Sequence, residues 1–344
     1  MELRIKDKYY DFSFDMRNRL IFVGANLDLK YKLFQRIKRF GQGGKYDELE
    51  MNLYGEEGIS ISYSESKLNP RKQRFLTISS MDDIKREITL EKKTLLYENI
   101  YLLKDDLEIT RQIQLLNDNL LSIENLLNTH YSTLFNNLQY YCQELTFDHI
   151  INKQTSVQYY NDTGSLPFYA LSASELVDEF LVVLKQYIEQ SGQEVWISIY
   201  NPEEYLDETI LDLLLSSLDN IANETSLLKT IIFHRWKTAT YVSDDIDSVI
   251  ISLDTFQQLP EFNYFRKSIE RNYPVPLEID NNDLSLCFFK ICLLIGSKDF
   301  SSALIQGKDM ILLKVLEILL EDRTDLGTLE TELSDCEKAF LMSR

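Results

Sequence analysis

The sequence predicts an α/β fold built on a mainly parallel sheet, interrupted by an inserted long-helix, coiled arm and followed by a helical C-terminal region. Three observations carry this reading. Short β-branched and aromatic runs alternate with helical patterns on either side of a central segment, as in sheets covered on both faces. Between Arg71 and Thr163 there is neither glycine nor proline, and apolar residues recur there at three- and four-residue spacings. The chain has 344 residues, 44% of them hydrophobic, with 20 Tyr and 18 Phe, which suffices for two or three modules and a substantial core. The expected division is residues 1–83 and 156–254 as the two parts of an α/β head, 84–155 as the inserted arm, and 255–344 as the helical C-terminal region.

Residues 1–80 read as short strands, "LRIKDKYYDFSF", "RLIFVG", "ISISYS" and "RFLTISS", punctuated by glycines at 41–44 and 55–58 and by Pro70. A helix is expected between "LIFV" and Gly41, with Leu29, Leu33, Phe34 and Ile37 on one face. In the insertion the apolar positions run 96, 100, 103, 107, then 109 to 127, then 131, 134, 138, 141 and 145, a heptad seam with one slip near 107–109. One or two long helices fit, and at about 1.5 Å per residue a 40-residue helix would reach ~60 Å. Such a segment serves equally as a projecting or dimerising arm and as a plain helical subdomain. Beyond it, helices at 172–190 and 206–222 alternate with strands at 195–200, 229–235 and 248–253.

The start, "MELRIKDKYYDF", is charged from its second residue, so no secretory signal is expected. No apolar run approaches the roughly 20 residues of a spanning helix. The four cysteines (142, 287, 292, 336) form no C-x-x-C pair, and with three histidines a structural zinc site is not expected. Reduced thiols in a cytoplasm fit best. The net charge of −19 is unevenly spread: residues 1–104 carry 20 Lys/Arg against 16 Asp/Glu, a net of +4, which leaves 16 against 39 in the remainder, a net of −23. Residues 29–46 hold six basic residues, Lys30, Lys32, Arg36, Lys38, Arg39 and Lys45, and no acidic one. That strip is either an ordinary solvated helix face or a surface for phosphates, since a local basic patch releases counterions whatever the global sign.

"GANLDLKY" (24–31) follows the apolar run at 20–23 and has the frame of a phosphate loop, G-x-x-x-x-G-K-[S/T], with Gly24 and Lys30 in place. Leu29 stands for the second glycine and Tyr31 for the metal-binding hydroxyl. "LSASE" (171–175) is similar to the L-S-G-G-[Q/E] signature of ABC-type ATPases without its glycines. "VWISIYNPEEYLDE" (195–208) overlays a Walker B strand and D-loop, with Tyr200 and Asn201 replacing the acidic pair. Singly, each match also reads as a cap or a turn. Together they keep the ABC order around a helical insertion, so the head resembles a degenerate ABC-ATPase. Hydrolysis needs backbone N–H groups around the β-phosphate, a hydroxyl and a carboxylate on Mg²⁺, and a base for water. Those positions hold Leu29, Tyr31, Tyr200 and Asn201, so no ATP chemistry is expected. His130, His149 and His234 have no nucleophile in a recognisable elbow and read as structural or surface residues. "DDID" (244–247) and "DNND" (280–283) lack the glycine and terminal glutamate of an EF-hand loop.

A disabled ABC-like head, a helical insertion, a basic first helix and an acidic body together resemble the type II-A CRISPR-associated accessory proteins of spacer acquisition (the Csn-two family), in the large subtype with a C-terminal extension. The resemblance spans roughly residues 1–255 and rests on "LIFVGANLDLK", the heptad insert and "VWISIYNPEEYLDE"; the remainder fits by length alone. It implies a ring-shaped homotetramer that threads double-stranded DNA ends through a central hole, reads no sequence and hydrolyses nothing. It also implies work with the CRISPR integrase pair and the RNA-guided effector nuclease, without a membrane. The strip Lys30, Lys32, Arg36, Lys38 and Arg39 is then the candidate DNA-facing surface, with Lys67, Arg71, Lys72 and Arg74 second. Family members hold Ca²⁺ where the arm returns to the head, and the corresponding segment "QELTFDH" (143–149) offers Glu144 and Asp148. Hard cations take roughly six to eight oxygens, so backbone or remote ligands would have to contribute. The rival readings are a divergent P-loop ATPase and a protein–protein scaffold that binds no nucleic acid.

Overall fold

The computed structural model describes residues 1–132, 137–161, 164–297, 307–320 and 334–342. They form two compact units, residues 1–81 with 193–344, and residues 82–192. In chain order the first unit contributes β1 (Glu2–Lys6), β2 (Asp11–Asp15), β3 (Arg19–Val23), α1 (Leu27–Gln42), α2 (Glu48–Tyr54), β4 (Ser60–Tyr63), β5 (Ser66–Lys67) and β6 (Arg74–Ile78). The second comprises α3 (Met81–Glu87), α4 (Leu95–Tyr101), α5 (Leu107–Tyr131), α6 (Phe147–Lys153), β7 (Tyr159–Asn161), β8 (Gly164–Leu166) and α7 (Ala173–Ser191). The first then resumes with β9 (Val195–Tyr200), α8 (Glu208–Thr225), β10 (Leu228–Phe233), β11 (Val249–Ser252), β12 (Phe256–Gln258), α9 (Phe262–Asn272), α10 (Asn281–Ile291), α11 (Lys308–Leu319) and α12 (Asp335–Met342).

The six-stranded sheet of the first unit has the order β12-β11-β3-β10-β9-β6. Every neighbouring pair is parallel except β12, which lies antiparallel on β11. The inner strands are apolar without alternation, "LIFV" and "TIIF", because both faces are covered. Leu20, Phe22, Ile231, Phe233 and Trp196 join one core with Leu33, Phe34, Ile37 and Phe40 of α1 and with Leu3, Ile5, Phe14 and Ile61 of a second, antiparallel sheet, β2-β1-β4-β5. Each such side chain contributes roughly 1.5–3 kcal/mol on burial. The last turn of α1 passes so close to β6 that a Cβ on Gly41 would lie 2.6 Å from Cβ of Phe75.

The mainly parallel sheet expected from the sequence is present, and α8, β9, β10 and β11 lie within a few residues of their expected bounds. Two local expectations change. Residues 256–258 form β12, a short strand at the start of the region expected to be mainly helical. The heptad seam is interrupted as well. The slip at 107–109 is a helix start, with Asp106 accepting from the backbone N–H of Glu108 and Ile109. α5 ends at Tyr131, and residues 138–146 carry no helix; position 134 lies outside the described residues.

The cause of the second change lies in three polar residues on α5. Asn128 donates to the Tyr140 carbonyl at 3.0 Å and accepts from its N–H at 2.6 Å. Glu124 accepts from the N–H of Cys142 at 2.7 Å, and Asn117 both donates to and accepts from Leu145, at 3.0 and 2.8 Å. Side-chain amides thus serve the returning backbone as a neighbouring strand would. No side chain of α5 is buried.

Candidate functional site

Because β3, β9 and β10 run parallel, their carboxyl ends bring three segments to one edge: the loop after Val23, the Tyr200–Asn201 turn, and His234. In open α/β sheets that edge is where ligands bind. Gly24 takes φ +89°, and a Cβ there would stand 2.9 Å from both N and O of Ser252. The sequence therefore needs glycine at this point whether or not a phosphate is bound.

The N–H groups that would cradle a phosphate are spent inside the protein. Ala25 N–H donates to the Ile295 carbonyl at 2.9 Å, and Asn26 N–H to the Ser252 carbonyl at 3.2 Å. Leu27 N–H donates to the Ala25 carbonyl, and Leu29 N–H to the Asn26 side chain at 3.0 Å. Lys30 closes the site. Its side chain is 1% exposed, and Nζ donates to the carbonyls of Gly24 at 2.8 Å and His234 at 2.5 Å. Burial holds this ammonium down to about 8. The positive group that would meet a nucleotide instead joins the two walls of its own pocket.

The Walker-B-like segment carries no free carboxylate at this edge. Tyr200 stacks on Phe34 at 4.7 Å between centroids and meets Tyr31 edge-on at 5.9 Å. Asn201 is buried in a left-handed conformation, φ 48°, and donates to Glu204 at 3.1 Å. Glu203 is buried beside it, accepting from the N–H groups of Arg235 and Trp236 at 2.5 and 3.1 Å and lying 3.2 Å from Nδ1 of His234. Burial opposes its charge, but His234 and those N–H groups hold its carboxyl below the ordinary range. His234 Nε2 meets the Tyr241 hydroxyl at 2.7 Å, and complete burial raises the Tyr241 pKa well above the phenol range. This chain of groups fastens the carboxyl ends of β9 and β10 to each other. It contains no group aimed at a phosphate or at water.

No family model and no curated protein matches this sequence. Among solved structures, the fold is similar to that of Stu0660 of Streptococcus thermophilus, with a TM-score of 0.83 and 17% identity over 96% of this chain and 97% of that one. The match shows a shared fold over most of the length of both chains. CbiO1 from Clostridium perfringens, part of the ABC transporter complex CbiONQ, gives a TM-score of 0.35 at 13% identity over 78% of this chain and 93% of that one. The SmcHead bound to the C-winged helix domain of ScpA gives 0.36 at 10% over 76% and 94%. Both scores are too low to bear an argument.

The structure separates the cations of the expected strip. Lys30 and Arg36 point inward, which corrects their placement on a DNA-facing surface. Arg36 is 5% exposed, its Nε donates to Asp7 at 2.6 Å, and its guanidinium stacks 4.3 Å from the Tyr10 ring. The signal was present in the spacing: Lys30 stands three and four residues before Leu33 and Phe34, and Arg36 three after Leu33 and four before Phe40, all on the buried face of α1. Arg39 is held by Glu50 and by the carbonyls of Gly43 and Lys45. Lys32 is exposed and paired with Asp28 at 2.5 Å, and Lys38 is half-buried. Lys45, Lys67, Arg71 and Lys72 are exposed, while Arg74 is half-buried in β6. A Cβ on Gly43 would lie 3.8 Å from Pro70, so the end of α1 and the 67–74 segment do meet.

The remaining expectations concern the second unit. Ser172 of "LSASE" accepts from the Glu175 N–H while Glu175 accepts from the Ser172 N–H, a capping box that accounts for the motif locally. Glu144 is exposed, and Asp148 lies 3.7 Å from the Lys104 ammonium. No group of three or more His, Cys, Asp or Glu side chains that could hold a metal occurs among the described residues. One exposed carboxylate and another facing an ammonium do not fit a hard divalent cation. No described helix is long and apolar enough to cross a membrane.

Proposed function

We propose that this protein is a non-catalytic double-stranded DNA-binding protein of CRISPR spacer acquisition, acting as a homotetramer beside the integrase pair and the RNA-guided effector nuclease. The observation that carries the reading is the closed phosphate loop. A chain that keeps Gly24 and Lys30 but turns the lysine onto its own carbonyls retains the fold of a nucleotide site without its use. The family resemblance of its motifs supplies the process, and the fold shared with Stu0660 over most of both chains supports treating the chain as one unit of function. The phosphate-binding surface of this reading is Lys32, Lys38, Lys45, Lys67, Arg71 and Lys72, and no step passes through calcium or ATP. α5, which leaves Leu115, Leu116, Leu121, Ile123 and Leu126 exposed, supports assembly through its flank.

The test compares linear and covalently closed duplexes of the same sequence in a mobility shift. Linear DNA is retarded, closed circles are not, and affinity falls about 10³-fold between ~50 and ~200 mM salt for roughly six phosphate contacts. Equal retention of circles removes the threading part of the reading. No shift with either substrate at low salt favours a scaffold without nucleic acid.

A further inference from the structure

Beside the closed loop the first unit carries a groove of about 570 Å³ lined by Tyr9, Tyr10, Tyr31, Lys32, Gln35, Arg36, Leu53 and Tyr54. Its walls are the turn between β1 and β2, residues 31–36 of α1, and the end of α2. The groove is held open by bonds made elsewhere. Asp7 accepts from the N–H groups of Tyr9 and Tyr10, both at 2.8 Å, and from Arg36 Nε. Arg36 NH1 in turn donates to the Lys32 carbonyl at 2.9 Å, and Lys8 N–H to the Tyr54 carbonyl at 3.1 Å. The turn is therefore pinned to both helices before anything binds. Tyr9 is 59% exposed and Tyr31 50%; Lys8 Nζ lies over the Tyr9 ring at 5.0 Å, and Tyr200 meets the Tyr31 ring at 5.9 Å.

We propose that this groove binds unpaired nucleotides at the end of a DNA duplex, stacking bases on Tyr9 and Tyr31 while Lys8 and Lys32 meet the phosphates; the inference rests on the DNA-binding reading above. The exposed Tyr9 and Tyr31, with Gln35 and Lys32 in the groove and Lys8 beside it, offer stacking for any base and charge for any phosphate, which is how sequence-independent single-strand sites are built. The volume is that of a small-ligand site and admits a base with its sugar. The fixed Asp7–Arg36 pair supplies rigidity, so little ordering accompanies binding.

The experiment measures fluorescence anisotropy of one labelled duplex in two forms, blunt and with a five-nucleotide 3′ oligothymidine tail, using the full chain. Wild type prefers the tailed duplex by about tenfold, as stacking of one or two bases predicts. The Y9A/Y31A variant loses that preference and keeps its blunt-duplex affinity, and Y9F/Y31F retains both. Persistence of the preference in Y9A/Y31A overturns the assignment, as does equal binding of the two forms by wild type; both leave the DNA-binding reading intact. Absence of binding to either form removes that reading and the inference with it. A change of molecular mass in Y9A/Y31A without a change in tail preference assigns the groove to a second copy of the chain and also overturns the proposal.

Discussion

Lys30 fills with its own ammonium the space around which its backbone loop curls, bonding the carbonyls of Gly24 and His234. Lys30→Met keeps most of the apolar stem and removes the donor, leaving two buried carbonyls unpaired. A loss of roughly 2–3 kcal/mol is expected in urea unfolding. The pH dependence carries a second signature. Burial lowers the folded pKa from 10.5 to about 8, so between those values the unfolded chain binds a proton that the folded one has released. Stability therefore rises with pH across that window, by roughly 3 kcal/mol at most, and is flat below it as far as Lys30 is concerned. The rise should be missing in Lys30→Met, and an identical slope in both proteins would contradict the burial of this charge. Gly24→Ala should cost at least about 2 kcal/mol, because a positive φ and contact with the Ser252 backbone leave its Cβ nowhere to move.

At the scale of elements, α5 and the segment that returns along it show how a helical pattern can stop without glycine or proline. Asn117 and Asn128 each make two hydrogen bonds with the backbone of the returning segment. Replacing both with alanine raises the helix propensity of α5 and removes the partners of Leu145 and Tyr140. Hydrogen exchange of those two amides should accelerate by about tenfold or more, while far-UV circular dichroism does not fall. A helical 138–145 segment in solution would instead lose ellipticity or show no change at these amides.

For the molecule as a whole, charge is segregated along the chain, +4 over residues 1–104 and −23 over the remainder. On the DNA-binding reading proposed above, a duplex should be held through basic residues of the first 104, with a salt slope that grows with the number of phosphates they meet. The double reversal Arg71→Glu, Lys72→Glu should lower the slope of log affinity against log salt by roughly 2 and weaken all duplex sequences alike. Millimolar Mg·ATP should leave the unfolding temperature unchanged, because a ligand stabilises only what it binds. A rise of several degrees would restore the ATPase reading.

Much of this was legible in the residues themselves. Unbroken apolar runs marked β3, β9 and β10 as buried on both faces, Ser172 marked the start of α7, and the frame of Gly24 and Lys30 marked a loop between strand and helix. These are local matters, decided by side-chain periodicity and caps within a few residues. The fate of the loop was not local. Its N–H groups are satisfied by Ser252 and Ile295, and its lysine by a carbonyl 204 residues away. A basic residue on a helix reads as solvent-facing until its burial and its distant partner are known, and both depend on which strands lie side by side. The sequence by itself determined most of the elements, their order, and which residues, Leu29, Tyr31, Tyr200 and Asn201, stand at the motif positions. Only the tertiary structure decided that the Gly24–Lys30 loop is closed from within, because a buried ammonium must find its acceptors wherever the fold brings carbonyls together.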